Sequence, residues 1–336
     1  MSSSLINRCI PNDEIPVLLT IFNRPDKTKA VMENLRQIKP KWLFVAADGP
    51  RPDYPEDREK CRLARQTATT VNWTCDVKTR FLDDNIGVDP AVSEAIEWFF
   101  QNVEFGILLE DDCIIHPDFF TFCGELFIRY ADDERIMQIS SLSPYESREY
   151  PYDYHFSRVF RCSGGWGTWR RAWKYYIYDM RLYSDKEALE ILKSYHPDYT
   201  KCLWQYKKLL EFKERNLLEL KRCSSFYYDH WDFQWNMACS AQNGLCIVPE
   251  KNLMENIGFD EDSTHTQERN PVFDNLQVQP VRFPLRHPPF VYADSKPERC
   301  LEKKIYRSLS LKSRCMYLIR RILGVYYYLC EVMPYR

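Results

Sequence analysis

Within the first 140 residues, short runs of apolar, partly β-branched residues recur, each too short for a helix and each closed by a polar or acidic turn. Val17-Leu18-Leu19-Thr20-Ile21 leads into Asn23-Arg24-Pro25-Asp26, Trp42-Leu43-Phe44-Val45-Ala46-Ala47 into Asp48-Gly49-Pro50, and Phe105-Gly106-Ile107-Leu108-Leu109 into Glu110-Asp111-Asp112. Continuous apolar runs of this length are the pattern of strands covered on both faces. Between them lie stretches with helical character: a charged one through Arg65, and one over 91–100 that places Val92, Ile96, Phe99 and Phe100 on one side. A further strand is expected near Cys75 to Arg80. After Pro117, the residues Phe119, Cys123, Leu126, Phe127 and Tyr130 again recur at helical spacing. Strand and helix alternating in this way predict βαβ units with right-handed crossovers around a mostly parallel, doubly wound α/β sheet.

In such sheets ligands sit beyond the carboxyl ends of the strands, where the loops converge as the strand order reverses. Asp48 and Glu110-Asp111-Asp112 both fall at ends of that kind. The expected organisation is a ligand-binding half over residues 1–140, an aromatic-rich and less regular half of the same domain over 141–288, and a tail over 289–336. Between Lys303 and Arg321 the tail carries seven Lys or Arg and no acid, interleaved with Ile305, Tyr306, Leu309, Leu311, Met316, Leu318 and Ile319. A basic amphipathic helix of this composition suits an anionic membrane surface, against the plainer reading of a packed terminal helix with a solvated face.

Composition narrows the partners. A formal net charge of −2 gives no overall field to hold nucleic acid. The thirteen cysteines are odd in number and show no paired zinc-ligand spacing. The N-terminus lacks the apolar core of a secretory signal, and about 18 consecutive apolar residues occur nowhere, so the expected location is cytoplasmic, peripheral to an inner membrane through the tail.

Three adjacent acids at a strand end repel one another unless positive charge sits among them. A hard divalent cation, Mn²⁺ or Mg²⁺, shared between one or two carboxylates and a substrate diphosphate is an economical solution. An ordinary acidic loop is the plainer reading, and a hydrolase with an acidic strand end is another.

Ile107-Leu108-Leu109-Glu110-Asp111-Asp112, with Pro117-Asp118-Phe119-Phe120 beyond it and Ile136-Met137-Gln138-Ile139-Ser140 later, resembles the GT-A fold glycosyltransferases. It is similar in particular to N-acetylglucosaminyltransferase I and to bacterial family-two-like transferases of surface polysaccharide synthesis. Ile21-Phe22-Asn23-Arg24, Ala47-Asp48-Gly49, Asn85-Ile86-Gly87 and Trp231-Asp232-Phe233-Gln234-Trp235 follow in order, so the resemblance runs from about Ile15 to Thr266. It implies a GT-A fold and a nucleotide-diphospho-sugar donor, UDP-sugar foremost. Arg24 would lie near the phosphates, Asp48 at the base, Glu110 and Asp111 at the donor ribose or sugar, and Asp112 on the metal. Asp89-Pro90 departs from the basic residues that relatives carry there. Inversion at the sugar, and a role in surface polysaccharide synthesis, are likewise implied by the resemblance alone.

In the second half, a carboxylate is needed to take the proton of an acceptor hydroxyl. Asp232, between Trp231 and Trp235, is the candidate favoured by the resemblance, with Asp229 its rival and a helix-capping role the plain alternative. Trp166, in Gly164-Gly165-Trp166-Gly167, offers a ring on which a sugar face could stack, or else fills the core. His265, at the end of the resembling region, is by that resemblance a candidate metal or diphosphate ligand, with a structural histidine as the plainer alternative. The expected function is metal-dependent sugar transfer from a nucleotide diphosphate to a glycan or glycolipid acceptor. Its alternatives are a sugar nucleotidyltransferase, which would want a Gly-rich loop in place of Asn23-Arg24-Pro25, and a catalytically silent, membrane-associated glycan-binding or scaffold protein.

Overall fold

A computed structural model describes residues 9–145, 150–162, 164–196, 231–258 and 276–308, together with single residues between 202 and 213 and residues 315 and 318. His265, Asp229 and most of the tail beyond 308 lie outside the described residues.

Ten strands and eight helices are described: β1 (Val17–Ile21), α1 (Pro25–Ile38), β2 (Trp42–Ala47), α2 (Asp57–Thr69), β3 (Asp76–Phe81), α3 (Val88–Asn102), β4 (Phe105–Glu110), β5 (Cys113–Ile115), α4 (Asp118–Arg129), β6 (Ile136–Ser140), β7 (Tyr154–Ser157), β8 (Trp166–Trp169), α5 (Arg170–Trp173), α6 (Asp185–Tyr195), α7 (Trp231–Ala241), β9 (Leu245–Pro249), β10 (Met254–Asn256) and α8 (Lys296–Ser308). Eight strands form one sheet in the order β3-β2-β1-β4-β8-β6-β9-β7, and β10 pairs with β5 in a small antiparallel ribbon. Strands β3, β2, β1, β4, β6 and β9 run one way, and β8 and β7 run against them. The sheet is therefore mostly parallel, and it takes strands from both sides of residue 140. The apparent irregularity after 140 has a physical source: these strands are only four or five residues long and two of them are reversed.

Both faces are covered, as the unbroken apolar runs require. Along β1 and β4 the side chains alternate between two cores. Val17, Leu19, Ile107 and Leu109 join one with α1 and α4, while Leu18 and Leu108 join the other with Ala95, Ile96 and Phe99 of α3 and Trp235 and Ala238 of α7. Pro25 at the first turn starts α1, where its missing N–H costs nothing, and Lys39 in the left-handed region ends it.

This alternation positions the site. Thr20 is the register partner of Glu110, and both follow Leu18 and Leu108 on the face that holds α3 and α7. The strand order reverses at β1, with β2 on one side and β4 on the other, so the loops after β1 and β4 must face each other.

Candidate functional site

Beyond the ends of β1 and β4, Arg24 meets the acidic triplet. Its Nη2 donates to Asp111 and, at 3.0 Å, to Oδ2 of Asp112, and its Nε donates to Asp111 Oδ2 at 3.4 Å. Burial works against the charge on this guanidinium, but Asp111 and Asp112 outweigh it and drive its pKa up. Arg24 is held in place from behind. Its carbonyl accepts from the N–H and hydroxyl of Thr28, and the neighbouring Asn23 side chain donates to Asp57 at 2.7 Å, a buried carboxylate that also binds Arg51. The Arg51–Asp57–Asn23 lock carries no sequence motif; its only signal is Asp57 as an acid opening a helix.

Burial pushes Asp111 up to about 6 against the pull of Arg24, and pushes Glu110, flanked by Asp112 and Asp111, up to about 8. Burial and like charge at close range both favour the neutral forms of Glu110 and Asp111, and Arg24 opposes them. The positive charge expected at the triplet was a divalent metal ion; in the structure an arginine of the same chain engages Asp111 and Asp112.

Glu110 lines a narrow cleft together with Thr20, Ile96, Cys162, Trp166 and Trp231, with room beside them for a group about the size of a water molecule. Asp232, on the first turn of α7, lies close enough for its charge to add to the upward push on Glu110. Residues 122 positions apart in the sequence thus share one electrostatic environment. The cleft walls Val92, Ile96 and Cys162 are ordinary apolar positions that nothing in the sequence distinguishes from core.

Trp166 lines the same cleft, but its ring is stacked on Trp231 at 5.8 Å between centroids and tilted against Trp235 at 5.9 Å, which leaves it 3% exposed. Trp166 thus packs against its neighbours and also lines the cleft beside Glu110. Asp48 stands apart from this group. It accepts from the N–H groups of Gly49, Ile86 and Gly87 and from the Asn85 amide at 2.8–3.0 Å. Four bonds fill the capacity of a carboxylate, so Asp48 ties the loop 85–87 to the end of β2, and a nucleobase could reach it only by displacing one of them. Burial raises its pKa against those same donors.

Glu110, Asp112 and Cys113 each bring one possible ligand atom within 4.8 Å of the others. The donor set suits a hard divalent cation at two points only, the oxygens of Glu110 and Asp112. The Cys113 thiol is pushed well above its usual range by burial and by the Asp112 and Glu110 charges, and it donates to Asp112 at 3.4 Å. A protonated thiol is not a ligand for Mn²⁺ or Mg²⁺. The ribbon β5–β10 brings a further group close: the Ile257 N–H donates to the Asp112 carbonyl, and Gly258 lies so near that a Cβ there would sit 2.1 Å from Asp112 Oδ2.

No protein-family model matches the chain, and no curated protein sequence matches it. Among solved structures it is similar to a crystal structure of UDP-glucose pyrophosphorylase complexed with UDP-glucose, at 10% identity and a TM-score of 0.27, over 67% of this chain and 97% of that one. A similarity of this size adds nothing to what the strand order and side chains show.

Proposed function

We propose that the chain is a glycosyltransferase that uses a nucleotide-diphospho-sugar donor, with its centre at Glu110, Asp112, Arg24 and Asp232. The observation that carries this reading is the convergence of Asp232 with the acidic triplet at the point where the strand order reverses. Core packing does not require a distant acid, Asp232, to stand within electrostatic reach of Glu110, which already has Asp111 and Asp112 beside it, and isolated buried charge is costly.

Glu110 and Asp112 are the residues that would hold Mn²⁺ or Mg²⁺, which when bound supplies charge neutralisation at a diphosphate leaving group. Arg24, already poised over Asp111 and Asp112, binds and orients the diphosphate. Asp232 accepts the proton of the acceptor hydroxyl, a glycan or glycolipid. The donor would enter from the loops after β1 and β4, and the narrow cleft must widen for a sugar ring to stand beside Glu110.

The Arg24 bridge favours a second reading, in which the arginine alone neutralises the acids and the chain binds a sugar without transferring it. One experiment separates them: thermal-shift titration with UDP-, GDP- and CMP-sugars with and without Mn²⁺, followed by product analysis. A Mn²⁺-dependent shift that Asp112→Asn removes, and that Asp232→Asn keeps while losing transfer, supports the transferase. Full turnover by Asp232→Asn refutes its role as base. A metal-independent shift with the donor left intact supports the silent binder, and release of pyrophosphate from a nucleoside triphosphate and a sugar phosphate marks a nucleotidyltransferase.

A further inference from the structure

The segment from residue 276 onward closes one edge of the large sheet and then turns into α8. Val281 and Leu285 donate their N–H groups to Asp118 and Glu125 on α4, and Ala293 bridges Phe156 of β7, the outermost strand, in parallel. Over 290–293 the side chains alternate. Val291 and Ala293 pack against the core, while Phe290 and Tyr292 point outward, 72% and 58% exposed. Asp294 then accepts from the Lys296 N–H at 2.9 Å as α8 begins.

Helix α8 has two unlike sides. Glu298 and Leu301 are buried, and Glu298 is held there by Arg161 at 3.0 Å, by Ser157 at 3.0 Å and by the Tyr145 hydroxyl. Lys296, Arg299, Lys303 and Lys304 are exposed, with Glu302 half-buried between the two sides. The charge of Glu298 is consumed inside the fold by Arg161, so it does not cancel the outer cations. The surface that results is basic, and the chain leads into it through two exposed aromatic rings.

We propose that Phe290, Tyr292 and the outer side of α8 form a docking surface for an anionic lipid bilayer. The cations complement acidic headgroups, and aromatic rings settle at the boundary between headgroup and acyl chain. A large ring that is almost three-quarters exposed gains from such an apolar boundary, which an acidic protein surface does not provide. The sequence past 308 continues in the same sense, with Lys312, Arg314, Arg320 and Arg321 before any acid. Among the described residues no helix is long and apolar enough to cross a membrane, so the contact is lateral. This surface is independent of the transfer reaction and stands or falls without it.

The test is co-sedimentation of the full chain with vesicles of phosphatidylcholine alone or with roughly one-third phosphatidylglycerol. Binding is expected only to the anionic vesicles, weakening more than about tenfold as salt rises from about 0.05 to 0.5 M. The combined variant Lys296→Gln, Arg299→Gln, Lys303→Gln and Lys304→Gln should bind about six-hundredfold more weakly, since each cation contributes about fivefold. Phe290→Ser with Tyr292→Ser should weaken binding about tenfold at unchanged salt dependence. All six side chains are exposed, so the variants should melt with the parent. Equal binding to both vesicle types, no binding by the parent chain, or parent-like binding by the fourfold variant would overturn the proposal. Capture by nucleic acid or an acidic protein without vesicle binding would do the same.

Discussion

Arg24 Nη2 stands 3.0 Å from Oδ2 of Asp112 while donating also to Asp111, so one guanidinium spans two of the three acids at the end of β4. The arginine comes from the loop after β1, the acids from the loop after β4, and the pairing of those two strands brings them together. Whatever occupies this place in the working protein must compete with, or share, that guanidinium.

Replacing Arg24 should therefore cost stability as well as function. Arg24→Ala leaves Asp111, with a side chain only 5% exposed, without its principal cation, a loss of about 2–4 kcal/mol in urea unfolding at neutral pH. Arg24→Lys keeps the charge and loses the fork that reaches both acids, so it should recover part of the stability and little of the nucleotide-sugar binding. If Arg24→Ala unfolds at the parental urea concentration, the bridge carries no structural weight.

The inner anchor of α8 makes a second test. Arg161 is buried against Glu298, and burial opposes its charge while Tyr145 and Glu298 outweigh that penalty. Glu298→Leu strands the guanidinium and should cost about 3–5 kcal/mol, whereas Arg161→Met with Glu298→Leu should recover most of it, because removing a buried pair together costs far less than removing one partner. A double-mutant cycle in urea measures the difference. Additive losses would mean that the pair does not hold the helix.

The parts of this architecture with a strong local signal were legible in the sequence. The strand runs around Val17, Leu43 and Ile107 carry the apolar continuity that a doubly covered parallel sheet imposes, and β1, β2 and β4 lie where the runs predict. The acidic triplet was visible for the same reason, as a polar break at the end of such a run. Partnership was not visible. Arg24 could be read only as a phosphate ligand or a surface ion-pair partner, and its attachment to Asp111 and Asp112 follows from the β1–β4 register, which no local pattern reports. Asp48 looked available because its four donors come from residues 49 and 85–87, most of them across a loop closure. The packing of Trp166 against Trp231 and Trp235 is likewise a tertiary fact that its glycine-rich surroundings do not report. The basic tail was legible as charge, but its anchored side begins upstream of 303, with Glu298, an acid that the charge pattern did not single out.

Stability should also depend on pH through His287. Its Nδ1 lies 3.0 Å from the Tyr154 hydroxyl, and its pKa is held down to about 4, first by burial and then by Arg129, with Asp153 pulling the other way. The folded pKa lies below the ordinary 6.5, so the unfolded chain takes up the proton first. This contribution is complete above pH 6.5 and is lost as pH falls from 6.5 toward 4. At pH 5 the parent should have lost about 1–2 kcal/mol more than His287→Gln, relative to each at pH 7.5. Parallel pH profiles for the two proteins would remove His287 as the titrating group.

Two glycines beside the site separate distortion of the fold from distortion of a ligand atom. At Gly49 a Cβ would lie 2.2 Å from the Asp84 carbonyl carbon and 2.7 Å from the Asn85 nitrogen, all backbone, so Gly49→Ala must displace the loop that Asp48 holds through residues 85–87. The expected cost is about 2–3 kcal/mol, with loss of any thermal shift by nucleotide-sugar regardless of metal. At Gly258 the obstacle is the end of the Asp112 side chain, 2.1 Å away, which can rotate. Gly258→Ala should therefore cost less than Gly49→Ala, about 1–2 kcal/mol in unfolding, and turn Asp112 Oδ2 away from Arg24 and from any shared cation. Its signature is a modest loss of stability with the Mn²⁺-dependent part of the shift selectively reduced, read by urea unfolding and thermal shift on the same preparation. If Gly258→Ala keeps the full Mn²⁺ response, the orientation of Asp112 is not what a cation reads, and the assignment of that carboxylate as a ligand fails with it.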